Sequence, residues 1–394
     1  MRLFIFMLCQ TIFSIILHGS RPLVSLYSHS LGVNEAVIGL LVSGFAVMPM
    51  LFAIKIGKWL DVFGARKLTV IGGTGIGLAF IIPALYPHIY ALFLSQLIMG
   101  ISHLATLVSL QKTVGNYPGN RDKLMATFSL TGSFGELVGP LASGYLYEYY
   151  GFAFSYRVAF FLTIIAIMSA FLVKSEHWNT RKDESLQPPQ NSGKESTWKL
   201  LKQVNLRKAV LISGLVLYSK DLFVAYFPVY ASQNGMGASE IGILLSVMAA
   251  AAILVRIIQF KLVHTYGRGK VILYTLSLSG ISFVLIPFFT NQIMLGFLVM
   301  LLGAGLGLGQ PISLVYALNV SPAHRQGEVL GLRLTFNRGS QFIAPFIFGS
   351  IGTMAGISPV FWLSGLVLMV GAKYTRMRKE DSNIPQIKKE KTAE

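Results

Sequence analysis

Charged side chains make up only 12% of these 394 residues, about half the share of an ordinary soluble domain. A soluble chain of this length would need two or three domain surfaces covered, and so little charge excludes that. Cysteine is scarcer still: Cys9 stands alone, so no disulfide framework exists. The seven histidines are scattered without metal-ligand spacing, and no metal centre is expected. No nucleophile–base constellation is visible. The glycine-rich stretch Gly303–Gly309 lies in an apolar run, with no preceding strand and no Lys-Ser/Thr, so it reads as helix packing rather than a phosphate loop. Enzyme chemistry, a bound cofactor and an ATP-driven pump are therefore not expected. What is present is apolar: 53% of the residues are hydrophobic, which excludes disorder and leaves a polytopic membrane protein.

A helix needs about 20 mostly apolar residues to cross a bilayer. Twelve segments qualify: 3–30, 36–59, 68–86, 89–111, 124–147, 155–173, 209–231, 240–262, 271–289, 292–316, 328–350 and 358–375. Arg2 followed by Leu3–Leu17 imitates a secretory signal, but no small-residue cleavage site follows, so it reads as an uncleaved first helix. The 33 Lys and Arg, set against 16 acidic residues, give +17, and most fill alternate loops: Lys58, Arg66, Lys67; Arg121, Lys123; Lys261, Arg268, Lys270; Arg325; and the regions after spans six and twelve. The opposite loops, 31–35, 87–88, 148–154, 232–239, 290–291 and 351–357, hold none. By the positive-inside rule both termini and the long central loop face the cytoplasm of a cell membrane. The excess charge meets an anionic inner leaflet and is no nucleic-acid footprint.

The expected organisation is an N-terminal six-helix bundle over 1–173, a central loop over 174–208, a second six-helix bundle over 209–375 and a tail over 376–394. The loop contains Gln187-Pro188-Pro189-Gln190-Asn191-Ser192-Gly193, a flexible linker composition. Ser196–Lys208 sets Trp198, Leu201, Val204 and Leu206 among basic residues and reads either as an interfacial helix or as an ordinary solvated loop. Displaced by 203 residues, the chain matches itself: Val37–Leu41 falls on Glu240–Leu244, His18 on Asp221, Tyr27 on Tyr230, Gly64 on Gly267 and Lys67 on Lys270; at 205, Gly100 meets Gly305 and Pro140 meets Pro345. The fold class is thus all-α, two pseudo-symmetric six-helix bundles, and in transporters such repeats put the substrate site at their interface near the midplane.

The first repeated loop, Gly57-Lys58-Trp59-Leu60-Asp61-Val62-Phe63-Gly64-Ala65-Arg66-Lys67, closely resembles the signature loop between spans two and three of the major facilitator superfamily. Lys261–Lys270 is a degenerate copy with His264 in the aspartate's place. Gly64 permits a tight reversal, while Arg66 and Lys67 suit anionic headgroups. The resemblance implies a conformational latch, with Asp61 bracing the N-terminal bundle against span eleven in one state; the alternative is a topological anchor. In span five, Gly132–Gly144 resembles the Gly-x-x-x-Gly-Pro-x-x-Gly-Gly motif of the superfamily's exporters, carried here by Gly135, Gly139, Pro140 and Gly144, with Ser143 for one glycine. It implies an antiporter of the drug and metabolite branch, exporting a small molecule against protons. Import of a small anionic or sugar-like metabolite, and a non-transporting scaffold or sensor, are the other readings. The span-four stretch Gln96-Leu97-Ile98-Met99-Gly100 departs from that branch, Gln96 standing where the family's arginine is expected.

Ionisable groups at membrane depth cost at least about 2.5–3.5 kcal/mol each on insertion scales, so they are candidates for function. They are His18, Arg21, His103, Glu136, Arg157, Lys220, Asp221, Arg256, Arg333 and Arg338, and only Glu136 and Asp221 are deep carboxylates. Glu136, Asp221, His18 and His103 are the proton-coupling candidates. Arg21, Tyr27, Gln96, Lys220, Tyr230, Arg256, Arg333 and Arg338 are the cavity candidates, the basic ones equally open to a structural reading. Asp221 has two expected partners, its neighbour Lys220 or Arg21 across the bundles. Such a cavity is net cationic and suits a substrate with an anionic face. A single chain is expected to act as a monomer.

Overall fold

The computed structural model describes residues 2–173, Trp178, 202–321 and 325–375. The expected flexible linker, the interfacial segment as far as residue 201 and the tail over 376–394 lie outside the described residues. The described chain is helical, and no strand occurs in it. Its elements are α1 (Arg2–Ser30), α2 (Glu35–Phe63), α3 (Ala65–Leu85), α4 (Ile89–Gly115), α5 (Arg121–Phe171), α6 (Val204–Gln233), α7 (Ala238–Ile257), α8 (Gln259–Tyr266), α9 (Arg268–Leu285), α10 (Gln292–Asn319), α11 (Gln326–Ala355) and α12 (Ile357–Tyr374). Their starts follow the sequence. Asn34, Asn120 and Asn291 each turn a side-chain oxygen onto a free amide of the first turn, those of Val37, Lys123 and Ile293. Glu35 and Glu240 place acid at the positive ends of α2 and α7.

Ten of these helices are long and apolar enough to cross a membrane. One of them, Lys123–Phe171, is 49 residues long and therefore serves as two crossings. It breaks at Gly151, whose φ of 80° and ψ of 176° are open to glycine and strained for other residues. The loop expected over 148–154 thus contracts to a single reversal. The remaining crossing, α11, lies outside those ten, and it holds Arg333, Asn337, Arg338 and Gln341. Its polarity is a property of the site. Span eight continues past Ile257 into the short α8. Among the described residues twelve crossings result, arranged as two six-helix bundles related by the internal repeat.

Each bundle packs small residues against helix backbone, where dispersion and close approach replace the hydrophobic drive. In the glycine-rich stretch of α10, Gly303 and Gly307 meet Met248 and Ala252 of α7, Gly305 meets α9, and Gly309 meets Val216 of α6. The packing reading of that stretch holds.

Between the bundles, the close contacts join α2 to α11, α5 to α7 and α1 to α6. The first two obey the repeat residue by residue. Gly39 sits on the Pro345 carbonyl and Gly242 on the Pro140 carbonyl; Gly349 sits on the Glu35 carbonyl and Gly144 on the Ala238 carbonyl. At the ends, the Ala36 amide donates to Thr353 Oγ1 (2.9 Å) and the Ser239 amide to Glu148 Oε2 (2.7 Å). Each bundle therefore caps the first turn of the other's second helix, satisfying amides that the helix itself leaves free. These contacts seal the face opposite the basic loops. The basic-loop ends of α4 and α10 make no comparable contact across the bundles among the described residues. Glu148→Ala is expected to cost the sealed face about 1 kcal/mol. Spin-label distances across α5 and α7 should then show a larger separated population, about fivefold larger by that free energy.

A charged cavity between the bundles

The cavity at the bundle interface holds about 770 Å³ of empty space, part of it open to solvent. Its polar lining is His18 and Arg21 from α1, His103 from α4, Glu136 from α5, Lys220 and Asp221 from α6, and Arg338 and Gln341 from α11. His18, Asp221 and Glu136 lie near the middle of the helices that carry them, at membrane depth. Apolar walls come from Leu17, Phe45, Leu217, Val224, Leu245 and Met248.

The two carboxylates each hold a cation of the other bundle. Arg21 Nη1 lies 2.7 Å from Asp221 Oδ1, and Lys220 Nζ lies 2.5 Å from Glu136 Oε1. Asp221 is 3% exposed and Glu136 15%, so both pairs are screened little by water. Of the two partners open to Asp221, the structure selects Arg21, and Lys220 turns to Glu136 instead. Adjacent positions on a helix point about 100° apart, so one residue pair can serve two different partners. Gln341 Nε2 also donates to Asp221, and Arg338 Nη1 donates to Gln341 Oε1 at 3.0 Å. Arg21 stacks its guanidinium 5.0 Å from the Phe45 ring centre, and His103 lies against the same ring at 6.1 Å. His18 Nδ1 donates to the Ser14 carbonyl at 2.9 Å, which leaves Nε2 as the atom able to take up a proton.

The other candidates sit elsewhere. Arg333 is buried and turned onto α10, donating to Gln310 Oε1 (2.6 Å) and to the Gln310 carbonyl (3.1 Å). Arg256 donates to the Gly307 carbonyl (3.0 Å) and, across the bundles, to Ser133 Oγ (3.3 Å). Gln96 is buried on α4 beside Gly44 of α2. Tyr27 and Tyr230 are a symmetric pair of braces: Tyr27 donates to the Pro87 carbonyl (3.0 Å), and Tyr230 to those of Phe289 (2.9 Å) and Ile286 (3.3 Å). None of these five lines the cavity. Tyr230→Phe is expected to lower stability by about 1 kcal/mol and leave transport unchanged. A fall in melting temperature of a few degrees with unaltered probe efflux checks this.

In the span 2–3 loop, Asp61 is exposed and bonds Lys112 of its own bundle at 2.7 Å, with Gly64 at φ 79° making the reversal beside Arg66 and Lys67. Gly57 has open space about its Cα. The span-five motif faces two ways. Gly135 and Gly139 let α5 close on Ser14, Ile15 and Gly19 of α1, while Pro140 and Gly144 meet α7. The unanticipated members are Phe45 and Gln341. Gln341 could have been flagged by its place one helical turn after Arg338.

A family model described as Major Facilitator Superfamily matches residues 3–344 and 234–393. The chain belongs to the Major Facilitator Superfamily. Within that superfamily it resembles Multidrug resistance protein 2 of Bacillus subtilis (strain 168), 22% identical over 380 residues, covering 92% of this chain and 91% of that protein. Quinolone resistance protein NorA of Staphylococcus aureus (strain COL) is 24% identical over 380 residues, covering 92% of this chain and 94% of the relative. The solved nucleoside transporter NupG shares the fold with a TM-score of 0.79 at 13% identity, covering 95% of this chain and 98% of that one. As a major facilitator protein the chain is a membrane transporter of small molecules.

Proposed function

We propose that the protein exports a small molecule in exchange for protons, by alternating access to the midplane cavity. The observation that carries this is the crossed pair of bundle-bridging ion pairs, Arg21–Asp221 and Lys220–Glu136. Protonating either carboxylate removes the counter-charge of a cation on the opposite bundle. One proton thereby loosens one tie across the moving interface, which is what coupling an ion to a rocking motion requires.

The basic loops orient both termini and the cavity's open end toward the cytoplasm, against an anionic leaflet. The sealed face is then the outer one, and the ionised pairs belong to the state that has released its protons inward. Substrate enters from the cytoplasm in that state and leaves outward as protons bind the carboxylates. Both bundles of one chain complete the cavity, so a monomer suffices. Asp61 serves as a latch in the outward-facing state; its exposed pair with Lys112 contributes no more than about 1 kcal/mol and is readily exchanged. Export rather than import is supported by the span-five motif on the sealing interface and by relatives named for drug and quinolone resistance.

The test is accumulation of a probe panel (a quinolone, ethidium and an arenecarboxylate) in membrane vesicles of both orientations. Energised everted vesicles are expected to accumulate at least one probe, and dissipating the proton gradient should release it. Accumulation in right-side-out vesicles alone would establish import.

A further inference from the structure

Three basic side chains face two carboxylates in the cavity: Arg21, Lys220 and Arg338 against Glu136 and Asp221. Two of the cations are spent in ion pairs. Arg338 is not. Its hydrogen bond goes to the neutral oxygen of Gln341, and among the described residues no carboxylate lies within ion-pair distance of it. A guanidinium at membrane depth with no direct ion-pair partner, Asp221 reaching it only through Gln341, is costly, and it cannot shed the cost by deprotonating. Gln341 holds the Arg338 fork in place while its amide is anchored on Asp221, so the guanidinium is pre-positioned rather than free to snorkel. Elsewhere the cavity lining is apolar and aromatic, with Phe45, Leu217, Val224, Leu245 and Met248.

We propose that the cavity binds an amphipathic organic anion, whose carboxylate or equivalent acid group is taken by Arg338 while its apolar body rests on the apolar lining of the cavity. This rests on the transporter reading of the cavity and adds the substrate's chemical class. The anion supplies the counter-charge that Arg338 lacks, and the planar, two-donor guanidinium fits a carboxylate better than a point charge would. The Arg338–Gln341–Asp221–Arg21 chain then links the substrate to one of the bundle-bridging pairs. A bound anion draws Arg338 away from Gln341, and Gln341 is the second donor on Asp221. Occupancy is thereby registered at a carboxylate proposed to carry the proton.

The matched probes are 1-naphthoate and 1-naphthylmethylammonium, equal in apolar body and opposite in charge. With the purified full chain in detergent and no gradient, 1-naphthoate is expected to raise the melting temperature in a saturable manner, and the ammonium is not. Arg338→Gln should weaken naphthoate binding about tenfold or more, and Arg338→Lys should weaken it less, keeping the charge but losing the fork. Equal or tighter binding of the ammonium by the unaltered protein, or no binding of naphthoate at millimolar concentration, overturns the inference without any variant. Unchanged naphthoate affinity in a folded Arg338→Gln protein also overturns it. Because no gradient is present, a carrier that imports, or that moves without protons, gives the same binding result. Failure here and failure of the export reading are therefore separable.

Discussion

Glu136→Gln is expected to abolish gradient-driven accumulation of any probe the protein transports while leaving the chain inserted. The substitution is nearly isosteric and keeps a hydrogen-bonding group, so the helix packing of α5 survives. What it removes is the charge that holds Lys220 across the interface at 2.5 Å. Leaving one partner of a buried pair unpaired costs about 3–5 kcal/mol, which corresponds to a hundredfold to several-thousandfold shift in a conformational equilibrium. The sealed, basic-face-open arrangement seen here should lose population by an amount of that order. Asp221→Asn should act in the same direction through Arg21 and Gln341. The double variant Glu136→Gln with Lys220→Gln removes both charges. It should recover the melting temperature and remain uncoupled, separating coupling from stability. Counterflow of a probe without a gradient, measured beside gradient-driven uptake, distinguishes lost coupling from lost binding.

Gly242→Leu and Gly39→Leu should each reduce transport to background, by about twentyfold or more. At both positions a side chain would meet a carbonyl of the facing helix, Pro140 for Gly242 and Pro345 for Gly39. A side chain can turn aside at modest cost, typically about 1–3 kcal/mol for overpacking. Backbone within a long helix cannot, so the interface must separate. The variants are expected to rest with the sealed face open. Gly331→Ala on α11, where open space surrounds the glycine, should transport normally. Leu245→Cys lines the cavity beneath the seal and reports this directly. An impermeant maleimide applied from the sealed side should label it faster in the Gly242→Leu background than in the otherwise unaltered protein. Cys9 is buried and bonded to Ser169 at 3.0 Å, so background labelling is low.

Much of this architecture could be read from residue order, because lipid imposes a strong pattern. Long apolar runs, basic loops on alternate sides and the 203-residue repeat together specify twelve crossings and two bundles. The loop Gly57–Lys67 and the Gly135–Gly144 motif carry the family resemblance. Local spacing was less informative about which way each polar side chain points. The surface of a membrane protein is apolar all round, so amphipathicity scarcely orients a helix within the bundle. Arg333 and Arg338, five residues apart on α11, show the consequence: one turns to Gln310 of α10 and the other into the cavity. Lys220 and Asp221 are neighbours in sequence yet serve different partners. Tyr27 and Tyr230 matched correctly as a symmetric pair, but their partners are loop carbonyls that no side-chain pattern records. The α11 half of the sealing interface is only partly hidden. The displacement by 205 residues pairs Pro345 with Pro140, but the sealing role of Gly349 opposite that of Gly144 emerges from what they touch.

The central claim is that protons move through the cavity carboxylates as the cargo moves out. Everted vesicles that respire become acid inside, and a fluorescent amine reports the gradient by quenching. Adding a transported probe should restore fluorescence, because each molecule entering the vesicle releases protons to the bath. Vesicles carrying Glu136→Gln together with Asp221→Asn, at equal protein levels, should show no restoration. Full restoration in that double variant, or probe accumulation by the unaltered protein with no effect on the gradient, would contradict the account.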